Sequence, residues 1–592
     1  MMRIKMKVMI MLLIAVASAD AQAEWKPVEG KIMTRWAKEV NPDNPLPEYP
    51  RPQMRRDSWM NLNGLWDFAR MSSATPAVYD RKILVPFPVE SALSGIAEAV
   101  KPDDTLYYRR TFTVPESMKE QRVRLHVGAV DWEAQVFVNG HKLGTHRGGY
   151  APFQFDVTDV LNESGEQEVR IVVKDPTDRG FQPLGKQVLN PKGIFYTAVS
   201  GIWGTVWLEG VSVTHVDKLE MVPNLADETL TLAVHLNGDD DGILMRASAT
   251  LDGEAVATAT GQAGEALTLK MANAELWSPS SPTLYDLTVT LERNGKTLDS
   301  VDSYFGMREL TLGKDESGIN RLFLNGSVLF QYGVLDQGMW PDGLYTAPTD
   351  EALRYDVEMV KKLGFNMIRK HIKTESARWY AHCDRIGMLV WQDMPSRLPS
   401  EASHGDNEGA TNFFHEWGEI MDSLRNYPCI VMWVPFNEGW GQFDTEKVVA
   451  WTKERDPSRL VNNASGWHDK NVGDVRDVHQ YPGPGTAPLE ENRAIVLGEY
   501  GGAAYIVEGN QWPDPDWPGL PCATIGDMRD AYDELLNKLR PMIRSSLAAA
   551  VYTEITDVEG EANGFMTYDR EVLKFDVDRT KEKHEQLIGI LK

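Results

Sequence analysis

From about residue 309 onward, short apolar runs alternate with stretches of helical period, and this alternation narrows the possible folds more than any other feature of the chain. Strand-like runs lie at residues 329–334, 365–369, 388–393, 430–434, 459–464, 475–481, 494–498 and 548–553, several of them, such as 430–434, largely apolar. Strands buried on both faces have that character. A helix capped by Thr349 or Asp350 puts Leu353, Val357 and Val360 on one face and stops at Gly364. Residues 376–386 read as a second helix, and Phe413, Trp417, Ile420, Met421 and Leu424 form a third helical stripe. Eight strands with helices between them match a (β/α)8 TIM barrel, which needs about 250 residues. It is expected over residues 309–592.

The residues before it lack helical period and read as two all-β units. Over residues 24–213, polar and apolar positions alternate at 122–128, 134–140 and 168–173, with an Asn139-Gly140 turn. Gly148, Gly149, Tyr150 and Pro152 punctuate the strands. A β-sandwich of jelly-roll type is the natural packing. Over residues 214–308, Leu230, Leu232, Val234 and Leu236 alternate with polar neighbours, as do Leu287, Val289 and Leu291 before the Asn294-Gly295 turn. That spacing suits an immunoglobulin-like β-sandwich. The expected fold class is multidomain: jelly roll, immunoglobulin-like sandwich, then TIM barrel.

Residues 1–23 read as a secretory signal peptide. Arg3, Lys5 and Lys7 precede an apolar core at 8–16, and Ala21-Gln22-Ala23 suits cleavage. The core is too short to span a bilayer, and no cysteine beside the cleavage site marks a lipid anchor. The product is expected to be exported, periplasmic or secreted, with no membrane insertion. A net charge of −25 disfavours nucleic acid and anionic membranes as partners. Cys383, Cys429 and Cys522 are too few and too irregular for a disulfide framework or a metal site. No metal and no cofactor is expected, and a homo-oligomer is left open.

Two of the strand-like runs end in an acid. Residues 430–434 lead into Asn437-Glu438-Gly439, and residues 494–498 lead into Glu499-Tyr500-Gly501-Gly502. Glycine lets the chain turn away after each. On the strand count these acids follow the fourth and seventh strands, whose C-terminal ends open on one barrel mouth. Two carboxyl groups across one gap are what cleavage of a glycosidic bond needs. One, neutral, protonates the leaving oxygen; the other, ionised, attacks the anomeric carbon. Retaining enzymes hold the two about 5–5.5 Å apart. After the eighth strand, Glu554 is the rival for a catalytic role, and Asp557 is a candidate for binding hydroxyls or an ion.

The residues around these acids resemble a known family. Arg425-Asn426-Tyr427-Pro428-Cys429-Ile430, then Trp433 and Asn437-Glu438, resembles the acid/base signature of glycoside hydrolase family 2. This is the family of bacterial β-galactosidases, β-glucuronidases and β-mannosidases. Gly498-Glu499-Tyr500-Gly501 resembles its nucleophile segment, and Asn366, Arg369 and His371 its other barrel signature. Tyr108-Arg109-Arg110, Val138-Asn139-Gly140, residues 148–156 and residues 200–208 are similar to its jelly roll. Trp277-Ser278-Pro279 and Leu284-Tyr285 are similar to the end of its sandwich domain.

The resemblance implies Glu438 as acid/base, Glu499 as nucleophile, Asn437 as partner of the sugar 2-hydroxyl, and Arg369 as the group orienting the nucleophile. His371, Asp393, Trp467, His479, Tyr481 and Asp557 are candidate substrate contacts, each equally open to a packing role at the rim. Asp175, Lys186 and Gln187 of the jelly roll are candidates to reach the barrel mouth. The chain departs from the family in two places. Lys370-His371-Ile372-Lys373 stands where galactosidases carry His-Tyr-Pro, and the Asn-x-Lys of glucuronidases is missing from the barrel loops. Lys370 and Lys373 either serve an acidic sugar or are solvated charges. Trp512 and Trp517, in the long stretch 503–525, either stack on sugar or pin the loop. The expected activity is an exported retaining exo-β-glycosidase acting on terminal non-reducing sugars of oligosaccharides. β-Galactosidase leads, with α-L-arabinopyranosidase or β-glucuronidase as alternatives. A non-catalytic carbohydrate-binding protein is the alternative of another class.

Overall fold

The computed structural model describes residues 25–71, 78–397, 408–513, 515 and 519–591. The leader expected at 1–23, and Trp517, lie outside the described residues.

The N-terminal part is an antiparallel sandwich. A six-stranded sheet runs in the order Arg81–Val85, Gly64–Met71, Thr105–Phe112, Gln167–Lys174, Glu133–Val138, His141–Arg147. It faces a four-stranded sheet in the order Trp59–Asn61, Val206–Val211, Arg122–Val127, Phe153–Asp156. Trp66, Leu125, Val136, Ile171 and Leu208 fill the core between them. The Asn139-Gly140 turn has both residues at positive φ, 48° and 81°, the geometry of a two-residue hairpin.

A second sandwich has its own core of Leu230, Leu232, Met245, Val289 and Val301. Its three-stranded sheet holds His215–Asn224, Thr229–Asn237 and Leu267–Lys270. Its four-stranded sheet holds Glu254–Gln262, Leu244–Leu251, Tyr285–Arg293 and Lys296–Phe305. A small antiparallel sheet, Leu310–Lys314, Asn320–Leu324 and Ser327–Val328, follows. From it Arg321 donates to Leu547 O at 2.6 Å and to Arg544 O at 3.0 Å, and Asn320 donates to Arg493 O at 3.1 Å. These carbonyls lie where the last two barrel strands begin, so the sheet covers the N-terminal end of the barrel.

The barrel strands are β1 (Gln331–Asp336), β2 (Met367–Lys370), β3 (Leu389–Asp393), β4 (Ile430–Val434), β5 (Leu460–Val461), β6 (Val475–Gln480), β7 (Ala494–Gly501) and β8 (Leu547–Thr553). They pair in parallel in the order β5-β4-β3-β2-β1-β8-β7-β6. A single bridge, Asn462 to Val475, links the outer pair, so the barrel is nearly closed. The jelly roll, sandwich and barrel expected from the sequence are all present.

The helices are α1 (Asp350–Lys362), α2 (Ala377–Ile386), α3 (Glu408–Leu424), α4 (Thr445–Arg455), α5 (Ile525–Ser545) and α6 (Val577–Ile588). Thr349 caps α1 by accepting from Ala352 N at 3.1 Å, and Leu353, Val357 and Val360 are buried. The expectation of helices between all the strands fails in two places, because β5–β6 and β6–β7 are joined without one. Residues 462–474 contain Gly466 and Gly473 and no apolar stripe. Residues 481–488 carry Pro482, Pro484 and Pro488, which cannot sit inside a helix.

Candidate active site

Three strand ends converge on Arg369. It lies one residue before the end of β2, is fully buried, and uses all five N–H groups. Nε and Nη2 donate to the Asp393 carboxylate at 3.1 and 2.8 Å. Nη1 donates to Gly498 O at 3.2 Å and Glu499 Oε1 at 3.1 Å, and Nη2 also donates to Asn437 Oδ1 at 2.9 Å. The rigid guanidinium thus sets the relative positions of β2, β3, β4 and β7 residues, as a planar fork can and an ammonium cannot. Asp393 also receives His371 Nδ1 at 2.9 Å and Ile372 N at 3.3 Å. Both its oxygens are occupied by protein donors, so the expected hydroxyl contact becomes a brace for Arg369 and His371.

Glu499, on β7, is held from both sides. Arg369 meets Oε1, and the Tyr481 hydroxyl donates to Oε2 at 2.7 Å. Burial alone would raise its pKa; His479, Arg369 and Lys186 outweigh that and hold it down at about 2. A carboxylate in this state is ionised at any pH above that value, the form a nucleophile needs. Gly498 just before it is required by packing. A Cβ there would lie 2.2 Å from Asp477 Oδ2, and the Asp477 carboxylate accepts the Gly498 N–H at 2.6 Å.

Glu438 lies beyond β4 with a backbone φ of +51°, a strained conformation for a side chain of this kind and one that clusters at functional sites. Its N–H is anchored to Ser465 O at 2.8 Å. Oε1 lies 2.8 Å from His479 Nδ1. An oxygen of Glu438, a ring nitrogen of His479 and an oxygen of Glu499 all lie within 4.8 Å of one another, near the roughly 5–5.5 Å separation of retaining glycosidases. Among the described residues these three also form the group tight enough to hold a metal ion, and an ion there would cover the facing carboxylate oxygens. Beside them, Asn437 Nδ2 is buried and has no partner among the described residues. Its Oδ1 is taken by Arg369, so the amide presents a free donor into the site.

The jelly roll contributes a wall. Leu184 N donates to Arg397 O at 2.8 Å, and Arg397 Nε donates back to Gly185 O at 2.7 Å. Tyr196 OH donates to Glu561 Oε2 at 2.8 Å, and the Phe195 ring lies 5.5 Å from that of Trp440. Residues 184–197 therefore span the loops after β3, β4 and β8. Lys186 on this arm is 8% exposed, with its ammonium 5.3 Å from the Tyr196 ring centroid. Among the described residues no carboxylate pairs with it. The side chains of Gln187 and Asp175, by contrast, are tied within the jelly roll. Gln187 bonds Asp131 at 2.8 Å, and Asp175 accepts from Ser200 Oγ at 2.6 Å.

Several other expectations change. Lys370 and Lys373 are neither solvated nor open to substrate. Lys370 Nζ pairs with Asp336 at 2.6 Å and Glu375 at 3.1 Å. Lys373 Nζ donates to Gly338 O at 2.6 Å and Glu375 at 2.7 Å. Asp557 pairs with Lys574 at 2.6 Å and accepts from Gly564 N at 2.9 Å, which makes it an internal tie of the loop after β8. Burial, with Glu561 beside it, pushes the Glu554 pKa well up, and Gln337 donates to it at 2.9 Å. Trp467 is 63% exposed, its ring 5.7 Å from that of His479, where it can form a stacking platform. Trp512 packs on Tyr568 at 5.9 Å and pins its loop. His371, 3% exposed, is driven neutral chiefly by burial, with Lys186 and Arg369 adding to it. Ser465 and Asp477 were not singled out in the sequence. A serine and an aspartate in loops and strands are common, and their bonds to His479 and Gly498 cross between strands.

Family models match three stretches. Residues 97–191 match Glycosyl hydrolase 2 galactose-binding domain-like, residues 214–308 Glycosyl hydrolases family 2, and residues 346–482 Glycosyl hydrolases family 2, TIM barrel domain. Together they cover just over half of the chain. A curated β-galactosidase of Thermoanaerobacter pseudethanolicus is 28% identical over 421 residues, 67% of this chain and 54% of that protein. A putative β-glucuronidase of Formosa agariphila is 25% identical over 391 residues, 62% of this chain and 46% of that protein. The chain spans about half the length of these curated relatives. A solved β-glucuronidase from Ruminococcus gnavus, in complex with N1-substituted uronic isofagomine, superposes with TM-score 0.73 at 18% identity, over 91% of this chain and 100% of that one. A putative β-galactosidase from Bacteroides fragilis superposes with TM-score 0.68 at 19% identity, over 88% and 85%. At these identities the likeness is one of fold.

Proposed function

The chain belongs to glycosyl hydrolases family 2, and from that premise we propose that it is a retaining exo-β-glycosidase acting on terminal sugars of oligosaccharides. The observation that carries this reading is the pair Glu438 and Glu499, with carboxylate oxygens within 4.8 Å but in unlike surroundings. Glu499, clamped by Arg369 and Tyr481, attacks the anomeric carbon. Glu438 gives its proton to the leaving oxygen and later takes one from water. Asn437 Nδ2 donates to the hydroxyl beside the anomeric carbon. Trp467 offers an apolar face to the ring, and the jelly-roll arm bounds the pocket, which suits chain ends over mid-chain sites.

β-Galactosidase is the leading activity, in keeping with the name of the Thermoanaerobacter pseudethanolicus relative. A terminal hexuronic acid is the second reading, favoured by the unpaired, largely buried ammonium of Lys186, since a lysine is a point-charge partner for a carboxylate. A panel of nitrophenyl glycosides decides between them. Release from the β-galactoside or α-L-arabinopyranoside supports the first, and release from the β-glucuronide alone supports the second. Sugar binding with no release from any would overturn the enzymatic reading in favour of a binding protein. Trapping with an activated fluoro-glycoside should label Glu499, and a label elsewhere removes it as nucleophile. Export after cleavage near Glu24 belongs to the same proposal, and N-terminal sequencing of the protein from its native cells tests it.

A further inference from the structure

His479 has both ring nitrogens engaged in a way that sugar binding does not require. It is 3% exposed. Nε2 lies 2.7 Å from Ser465 Oγ, and Nδ1 lies 2.8 Å from Glu438 Oε1 and 3.5 Å from Glu499 Oε2. The direction of the protons along this chain follows from its far end. Asp477 Oδ1 accepts Gly498 N at 2.6 Å, and Oδ2 accepts Asn462 Nδ2 at 2.6 Å and lies 2.6 Å from Ser465 Oγ. Burial raises the Asp477 pKa, and His479, Arg369, Ser465 and Asn462 act against it; with an N–H already directed at each oxygen it is the carboxylate, which only accepts. The Ser465 hydroxyl proton therefore points to Asp477, leaving Oγ to accept from His479. Nε2 must carry a proton.

That leaves Nδ1 facing two carboxyl groups. A bare lone pair there would repel both, unless Glu438 held its own proton on Oε1, turned toward the ring and away from any leaving group. With a proton on Nδ1 both contacts become favourable. We propose that His479 is a positioning residue for the acid/base group. It acts as an imidazolium whose Nδ1–H is directed at Glu438 Oε1 and so confines the Glu438 proton to the other carboxyl oxygen, free for the leaving group. The proposal rests on the reading of Glu438 as acid/base and Glu499 as nucleophile.

The charge balance of the reaction fits this arrangement. In the first step the glycosidic C–O bond breaks with its electron pair on oxygen, which takes the Glu438 proton. A Glu499 oxygen bonds the anomeric carbon. Negative charge thereby leaves Glu499 and forms on Glu438, and the fixed imidazolium has a carboxylate partner before and after. In the second step water gives a proton to Glu438 and its oxygen to the anomeric carbon, and the bond to Glu499 breaks with its pair on the carboxylate. The groups facing His479 are Glu438 beyond β4, Asp477 on β6, Glu499 on β7, Arg369 and His371 from the end of β2, Asp393 on β3, and Tyr481 through Glu499. Burial works against a charged ring and Arg369 opposes it, yet Glu499, the Glu438 hydrogen bond and Asp477 hold the ring pKa above its ordinary 6.5.

The test is the direction in which a pH profile moves. Removing a neighbouring positive charge raises a carboxyl pKa by about 1–3 units. In His479→Gln the alkaline limb of kcat/KM, where Glu438 loses its proton, should move up by about that much. Ser465→Ala, which deprives Nε2 of its acceptor, should move it the same way by less and serves if the glutamine variant folds poorly. A limb that stays put while kcat falls means a packing role, and one that moves down means a neutral Nδ1 accepting from Glu438; either overturns the proposal. NMR of the ring nitrogens of the full chain, assigned by comparison with His479→Gln, needs no turnover. Both nitrogens should be protonated at pH 6.5, and Glu499→Gln should lower the midpoint. A ring protonated once at that pH overturns the proposal even if the enzyme is active. A wild-type protein that cleaves no glycoside overturns the underlying reading of the two glutamates instead.

Discussion

Arg369 shows how much one side chain decides here. Its five hydrogen bonds reach Asp393, Asn437, Gly498 and Glu499, so it aligns the Glu499 carboxylate, the Asn437 amide and the backbone before Glu499 at once. Arg369→Met would leave two buried carboxylates without their cation. Breaking a buried pair in this way costs about 3–5 kcal/mol, so a clear fall in Tm is expected with near-complete loss of kcat. Unchanged thermal unfolding would mean that the cation does not hold the site together. Glu438→Ala tests a different property. Losing the proton donor should slow an unactivated glycoside about 10²–10⁴-fold, the usual size of general acid catalysis. A dinitrophenyl glycoside, whose leaving group needs no proton, should be slowed far less in its glycosylation step. Equal loss on both in pre-steady-state measurements would remove Glu438 as the acid.

Helix α3 carries a device that acts at the level of elements. Its Glu416 accepts the Tyr150 N–H of the jelly roll at 2.7 Å and is 1% exposed. Burial, with Glu419 adding to it, pushes the Glu416 pKa from 4.5 up to about 8, against the N–H groups of Tyr150 and Gly149. The folded value lies above the unfolded one. The stability this contact contributes is therefore complete below pH 4.5 and is lost as the pH rises through about 8. Glu416→Gln keeps an acceptor for Tyr150 and cannot ionise. It should raise Tm by a few degrees above pH 8 and change it little below pH 4.5, as thermal unfolding at the two ends will show. The connections that lack helices are a second matter of elements. Residues 462–474 carry Ser465, Trp467 and the glycines that let the chain pass close to Glu438 and His479. A Cβ at Gly466 would lie 3.1 Å from His479 Nδ1. A helix there would have moved the β5 loop off the site.

At the scale of the whole molecule, the sandwich and the jelly roll are both tied to the barrel, and the jelly roll and barrel together form the site. The sandwich is tied to the barrel by Arg308, which donates to Pro428 O and Ile430 O at 3.0 Å each, and by Trp277 Nε1, which donates to Asp384 O at 2.8 Å. The jelly roll reaches further, laying residues 184–197 over the barrel mouth. Arg397 clamps that arm through Gly185 O and Gln187 O, and its guanidinium lies 4.8 Å from the Phe195 ring centroid. Arg397→Ala should loosen the arm without touching Glu438 or Glu499. A rise in KM of about tenfold, equivalent to roughly 1.4 kcal/mol, is expected with kcat much less affected. A fall in kcat at constant KM would show that the arm positions the catalytic pair and does not merely bound the pocket.

What the sequence determined by itself is what local physics can encode. Side-chain periods of two residues and of 3.6 residues set strands and helices. Thr349 marks the start of α1, Asn139-Gly140 a hairpin, and two acids after apolar runs mark strands opening on a barrel mouth. These features follow from neighbours a few positions apart, so they could be read before any fold was known. The tertiary structure alone decided what each polar side chain does. Glu499 meets Arg369 across 130 positions, and Tyr196 meets Glu561 across 365. Lys370 and Lys373 look like surface charges in the chain and prove to be buried ion pairs; Asp393 and Asp557 look like free acids, yet protein donors take both oxygens of Asp393 and Oδ1 of Asp557. No pattern along the chain distinguishes a bonded carboxylate from a free one, because the desolvation and pairing that set its charge come from elements that meet only when the barrel closes and the jelly roll docks.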